Sequence, residues 1–260
     1  VQLISYTLKK IFHIFILLIC TGIMSFPAQA QEKQKLTPEE QRKFDYFYYE
    51  GIKLKNADKF DAAFDAFNYC LTIDSTDAAV LYELFSFYRV LNRPEKAVQL
   101  LKRAVANSSD NFAYKIALAN LTRSLGMYGE AAQEYEELVK EYPGKVDLNY
   151  NLADALMQQG EFAQAIEALN ALESSMGMNE ALSVQKYQLY TALEEPENAL
   201  NEIVKLADKF PMEPRYQIIL GDLFLEQDNV EKAFVAYEKA KELEPDSPLY
   251  IVAMANYYEK

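Results

Sequence analysis

Met127-Tyr128-Gly129-Glu130-Ala131-Ala132-Gln133-Glu134-Tyr135-Glu136-Glu137-Leu138, closing on Tyr142-Pro143, is the stretch on which the fold turns. Its Ala131 belongs to a ladder of six alanines, Ala63, Ala97, Ala131, Ala165, Ala199 and Ala233, each 34 residues after the last. A period held without insertion describes one supersecondary unit copied six times. Three residues before each alanine stands a bulky or ring residue (Phe60, Pro94, Tyr128, Phe162, Pro196, Val230), and four after it a large apolar one (Phe67, Leu101, Tyr135, Leu169, Ile203, Tyr237). Seven after comes a further core position: Cys70, Ala104, Leu138, Leu172, Leu206 and Ala240. Offsets of three, four and seven mark one face of an α-helix. Alanine lets two helices close up without leaving a void.

The rest of each unit keeps step. Twelve before the alanine lie Gly51, Phe85, Ala119, Ala153, Tyr187 and Gly221, mostly small, and twelve after lies a helix stop, clearest at Pro143, Pro211 and Pro245. Ala57-Asp58, Asn92-Arg93, Gly126, Gly160, Glu194-Glu195 and Asp228-Asn229 mark a turn that splits each unit into two helices.

Residues 127–143, and again Glu231 to Pro245, resemble the second helix of the tetratricopeptide repeat family. The resemblance covers six units (44–77, 78–111, 112–145, 146–179, 180–213 and 214–247) and a partial seventh first helix at 248–260. It implies an all-α, right-handed superhelical solenoid of antiparallel helix pairs that binds a protein or peptide partner. Phe85 and Tyr187 depart from the family's small residue, so their hairpins are expected to splay slightly. Some members grip a terminal carboxylate with asparagines and cations spread over three units. The matching positions here, Ile116 and Asn120, Asn151, and Ala181 and Gln185, keep the asparagines and lack the cations, which leaves a carboxylate uncompensated.

Residues 1–30 differ in composition from the rest of the chain. Lys9-Lys10, the apolar run Ile11 to Met24 and Ala28-Gln29-Ala30 form the three-part pattern of a secretory signal peptide cut after Ala30. The run falls short of the ~20 residues a membrane-spanning helix needs. Two alternatives are an uncleaved anchor and a lipid on Cys20, the latter disfavoured by Ile19, where such sites want a small residue. The sequence starts with Val1 rather than methionine. An exported protein of a bacterial periplasm or outer membrane is expected, touching the membrane only through this leader. Residues 31–43 read as a polar tether entering the first helix at Thr37-Pro38-Glu39-Glu40, a capping box with proline in the first turn. Leu249, Tyr250, Ile251, Val252, Met254, Tyr257 and Tyr258 make the last helix apolar on more than one side. A terminal helix should show water a polar face, so further chain or a partner is expected there.

Net charge is −13, and because residues 1–30 hold two lysines and no acid, the remainder carries 24 basic against 39 acidic side chains. That balance opposes nucleic acid and anionic membrane as partners, while keeping an extended solenoid soluble. The one histidine, His13, lies in the leader, so no imidazole remains for proton transfer or metal binding. Cys70 sits on the core stripe as a small hydrophobe, and a cysteine without histidine lacks its usual activating base. No glycine-rich phosphate loop is present. The reading is therefore not an enzyme, with no cofactor and no metal.

Function then comes from shape. Fifteen, eleven and eight residues before the alanines lie the side chains of the first helices that line the concave side. Among them Tyr48, Tyr82, Arg89, Asn120, Arg123, Tyr150 and Asp154 form the candidate partner-binding groove, since tyrosine and arginine give stiff contact area and directional donors. Two other roles fit the same repeats: the recognition arm of a larger enzyme or sensor, and a structural spacer or oligomerisation element. Asn107-Ser108-Ser109 and Asn120-Leu121-Thr122 also match the N-glycosylation acceptor pattern.

Overall fold

The computed structural model describes residues 35–259; the expected leader, its cleavage point and residues 31–34 of the tether lie outside the described residues. Thirteen helices follow one another among these residues: α1 (Pro38–Asn56), α2 (Phe60–Ile73), α3 (Ala78–Val90), α4 (Pro94–Asn107), α5 (Phe112–Ser124), α6 (Tyr128–Glu141), α7 (Asp147–Gln159), α8 (Phe162–Met176), α9 (Glu180–Ala192), α10 (Pro196–Lys209), α11 (Pro214–Glu226), α12 (Val230–Leu243) and α13 (Pro248–Glu259). They stack as antiparallel pairs in a right-handed solenoid. Thr37 caps α1, accepting from the Glu40 amide while the Glu40 carboxylate accepts from the Thr37 amide, which is the expected box.

One turn is repeated six times. Five residues before each alanine the backbone enters the left-handed region, at Asp58, Asn92, Gly126, Gly160, Glu194 and Asp228, with φ between 53° and 88°. The following amide then donates back across the turn, from Lys59 to the Leu54 carbonyl at 2.9 Å, from Met127 to Thr122 at 3.0 Å and from Asn229 to Phe224 at 2.8 Å. These are paired C-terminal caps that satisfy carbonyls left open by the helix end. Three of the six residues are neither glycine nor asparagine, so part of each cap's gain is spent on a conformation that costs about 1–2 kcal/mol for an ordinary L-residue.

All six alanines are fully or almost fully buried between the paired helices. The positions twelve before and four after each alanine face one another, and their volumes trade. Gly51 meets Phe67 and Gly221 meets Tyr237, whereas Phe85 stands opposite Leu101 and Tyr187 opposite Ile203. The expected splaying is absent at α3 and α4, which pack more extensively than every other hairpin but that of α11 and α12, because the large residue on one helix is matched by an aliphatic one on the other. Gly221 is the tightest point. A methyl group there would stand 2.2 Å from Tyr237 Cε1, against 2.9 Å between Gly51 and Phe67. Gly221→Ala is expected to cost about 1–3 kcal/mol by overpacking, and more than Gly51→Ala. Urea melts of the two variants check the ranking, and the reverse order would count against it.

The apolar core is interrupted once by charge. Thirteen residues before the alanine unit 1 carries Glu50 and units 2, 3, 4 and 6 carry Leu84, Leu118, Leu152 and Leu220, but unit 5 carries Lys186, whose side chain is 0% exposed. Its ammonium meets Glu173 at 2.7 Å, Glu202 at 3.1 Å and the Asn170 side-chain oxygen at 3.2 Å. Glu202 is itself buried where Ala66, Ala168 and Ala236 stand in other units, and it also accepts from Lys205 at 2.8 Å. This layer lies between α8, α9 and α10.

Candidate functional site

The first helices α1, α3, α5, α7, α9 and α11 present three rows of side chains, and the repeated turn sets their direction. The last row, Lys55, Arg89, Arg123, Met157, Thr191 and Leu225, supplies in each unit a carbonyl that accepts from the left-handed residue of the turn, such as Lys55 from Asp58 at 3.1 Å and Arg123 from Gly126 at 3.0 Å. The backbone is thereby fixed under each of these side chains.

Contacts tie several of the seven groove residues to their neighbours. Arg123, Asp154 and Asn120 come together: the Arg123 guanidinium donates to Asp154 at 2.6 Å across the seam between units 3 and 4, and Asn120 accepts from the Tyr135 hydroxyl at 2.6 Å. Asp154 and burial act in opposite directions on Arg123, and the hydrogen bond prevails, holding its pKa above the usual value. These three residues brace the wall. Tyr82 lies half-buried with its ring 4.7 Å from Tyr114 and 5.0 Å from Phe85. Tyr48 leans on Phe44 and Phe67, and burial raises its phenol pKa. Arg89 is exposed over the Phe85 ring, 6.0 Å from its centre, with no ion pair among the described residues. Tyr150 is open to solvent, with 52% of its surface accessible.

Pairings within the rows, rather than the rows themselves, escaped sequence reasoning. Lys55 pairs with Glu83 of the next unit at 2.6 Å. The Tyr237 hydroxyl donates to Asp222 at 2.7 Å, repeating in unit 6 the Tyr135 bond to Asn120. The signal was available, because only these two units combine a tyrosine four after the alanine with a polar acceptor eleven before it. The acceptor pattern at Asn120 is a different matter. Its Thr122 is fully buried and hydrogen-bonded, whereas Asn120 itself is exposed and accepts from Tyr135.

Chemistry is sparse. Among the described residues no group of three His, Cys, Asp or Glu is placed to hold a metal ion, and no helix is long and apolar enough to cross a membrane. Cys70 is buried with its sulfur 3.7 Å from the Phe44 carbonyl, and desolvation pushes its thiol up to about 11, which disfavours the reactive thiolate. On α13, Tyr250, Ala253 and Met254 are buried while Leu249, Ile251, Val252 and Tyr258 face outward.

Known proteins place this arrangement. Over 179 residues the chain is 28% identical to the protein O-mannosyl-transferase TMTC1 of Homo sapiens, a match that takes in 64% of this chain and 19% of that protein. Among solved structures, that of Naa15/Naa10 bound to HypK-THB superposes with a TM-score of 0.67 at 17% identity, covering 85% of this chain and 35% of that one. YrrB, described as a TPR protein with an unusual peptide-binding site, gives a TM-score of 0.48 at 19% identity, with 73% of this chain and 98% of that one covered. The chain thus spans a fifth to about a third of the first two. Family models described as tetratricopeptide repeat match residues 56–121, 123–183 and 188–248. With most of its length so matched, the chain belongs to the tetratricopeptide repeat family, whose repeats mediate binding of protein partners.

Proposed function

We propose that the chain is a non-catalytic scaffold that holds an extended segment or helix of a protein partner along the inner wall of units 1–4. The observation that carries this reading is the contrast within that wall. Arg123, Asp154, Asn120 and Tyr135 are locked to one another, while Tyr150 and Arg89 stand free beside them. A rigid base with unsatisfied aromatic and cationic groups loses little freedom on binding. The acidic balance of the chain supports protein rather than nucleic acid as the partner. The leader-like residues 1–30 support a site of action in a bacterial envelope.

A photo-crosslinking residue at position 150 tests the wall in the native host. It is expected to trap one discrete protein, and the same group at Gln133, exposed on α6, is not. Arg89→Glu should reduce the yield severalfold, as loss of a binding anchor does. Equal trapping from both positions would remove the proposal. A second reading, repeats as the recognition arm of a larger protein, is favoured by the transferase match, in which the matched part is a minor share of the protein.

A further inference from the structure

A cavity of about 450 Å³ opens between the start of α2 and the end of α3, walled by Phe60, Phe64, Phe87, Val90 and Leu91. Val90 is 82% exposed and Leu91 58%. The repeat does not require this: the residue matching Val90 is Asn56, Ser124, Gln158, Ala192 and Glu226 in the other units. An aliphatic side chain held in water where the repeat elsewhere tolerates polar ones points to an external contact. The rings are already assembled, Phe64 lying 5.8 Å from Phe87 and 5.6 Å from Tyr88, and Phe60 6.5 Å from Phe87. Filling such a cavity costs little ordering.

Charge selects the occupant. Of the six units only unit 2, residues 78–111, is net positive, with five basic against three acidic side chains, in a chain of net charge −13. Arg89, one helical turn from Ser86 on the cavity lining, has no carboxylate partner among the described residues, whereas Lys55 and Arg123 on either side of it in the same row are paired. Asp61 lines the α2 side, so a ligand carboxylate is directed toward α3.

We infer that this cavity is a docking site for an acidic protein segment, which inserts a large apolar side chain between Phe60, Phe87 and Val90 and sets a carboxylate against Arg89. The inference rests on the reading of the chain as an interaction scaffold and shares Arg89 with the inner wall, but its apolar seat at Phe60, Phe87 and Val90 is separate from Tyr150, so Val90→Asp tests the cavity alone. Two fluorescent, end-blocked peptides test it, sharing Phe and Leu on one helical face and carrying Glu or Lys at the remaining positions. Anisotropy with the full chain is expected to show binding of the Glu peptide, about tenfold or more weaker with Arg89→Glu or Val90→Asp. Both substitutions are at exposed positions, and unchanged far-UV circular dichroism confirms that the fold is intact. Equal binding of the Lys peptide, or indifference to Val90→Asp, would overturn the inference. Loss with Tyr150→Ala but not with Val90→Asp would also overturn it while leaving the inner wall standing. Concentration-dependent self-association abolished by Val90→Asp would reassign the cavity to a second copy of the chain.

Discussion

Lys186→Met is expected to destabilise the protein by about 3–5 kcal/mol, the cost of leaving a buried charge without its partner. Glu202 is 4% exposed and one of its oxygens already lacks a hydrogen-bond partner. Without the ammonium it keeps only Lys205, whose own side chain is about half in water. Replacing both, as Lys186→Leu with Glu202→Ala, installs the leucine and alanine that units 4 and 6 use at these positions, where Leu152 and Leu220 accompany Ala168 and Ala236. Apolar replacement of a buried ion pair is often neutral or stabilising, so this double variant should fall within about 1 kcal/mol of the parent or above it. Urea denaturation of the three proteins measures both effects. A double variant as unstable as the single one would show that the layer contributes favourably beyond charge compensation.

The second large effect is a pH dependence traced to Glu134. This residue stands in the same row as Glu202, but with no cation in contact. Burial pushes its carboxyl up to about 7, opposed by the hydrogen bond from Thr122, with Lys102 lowering it and Glu130 and Glu137 raising it from a distance. The geometry agrees. The Thr122 hydroxyl oxygen lies 2.7 Å from Glu134, 3.0 Å from the Leu118 carbonyl and 3.1 Å from that of Ala119, three acceptors for one hydrogen. A protonated Glu134 donates to Thr122, and the hydroxyl hydrogen then passes to a carbonyl. Because the folded pKa lies above the unfolded one, Glu134 favours the folded state most below pH ~4.5 and loses that contribution as pH rises through 7. Partial exposure reduces the full difference, leaving about 2 kcal/mol between pH 5 and 8. Glu134→Ala, which matches Ala66, Ala168 and Ala236, should be the more stable protein at pH 8 and lack this component of the slope. Parallel stability profiles for parent and variant would refute the assignment.

How much of this could be read beforehand depends on the range of the forces involved. Helix faces, buried alanines and left-handed turn residues are local, so a period of 34 displays each of them six times. The capping box at Thr37 was legible for the same reason. Lys186 was legible in principle, as a lysine at a position that is leucine in four other units, but its partners Glu173 and Glu202 come from two other helices. Arg123 and Asp154 were both picked out for the groove. Their pairing depends on how one unit is rotated on the next, which no single repeat records. Phe85 shows the opposite limit: taken alone it suggested a parted hairpin, and only the compensating Leu101 across the seam explains why the pair closes.

The ionic layer has a consequence for the ancestry of the chain. Asn170 and Glu173 belong to one repeat, Lys186 and Glu202 to the next. A recombination event that removed or doubled a block at the 179/180 boundary would take Glu173 and Asn170 from the Lys186 ammonium and leave it Glu202 alone. Tandem arrays drift in copy number by such events, and a cut at this boundary removes two of the three partners of a fully buried ammonium, where a cut at 145/146 breaks the partly exposed pair of Arg123 and Asp154.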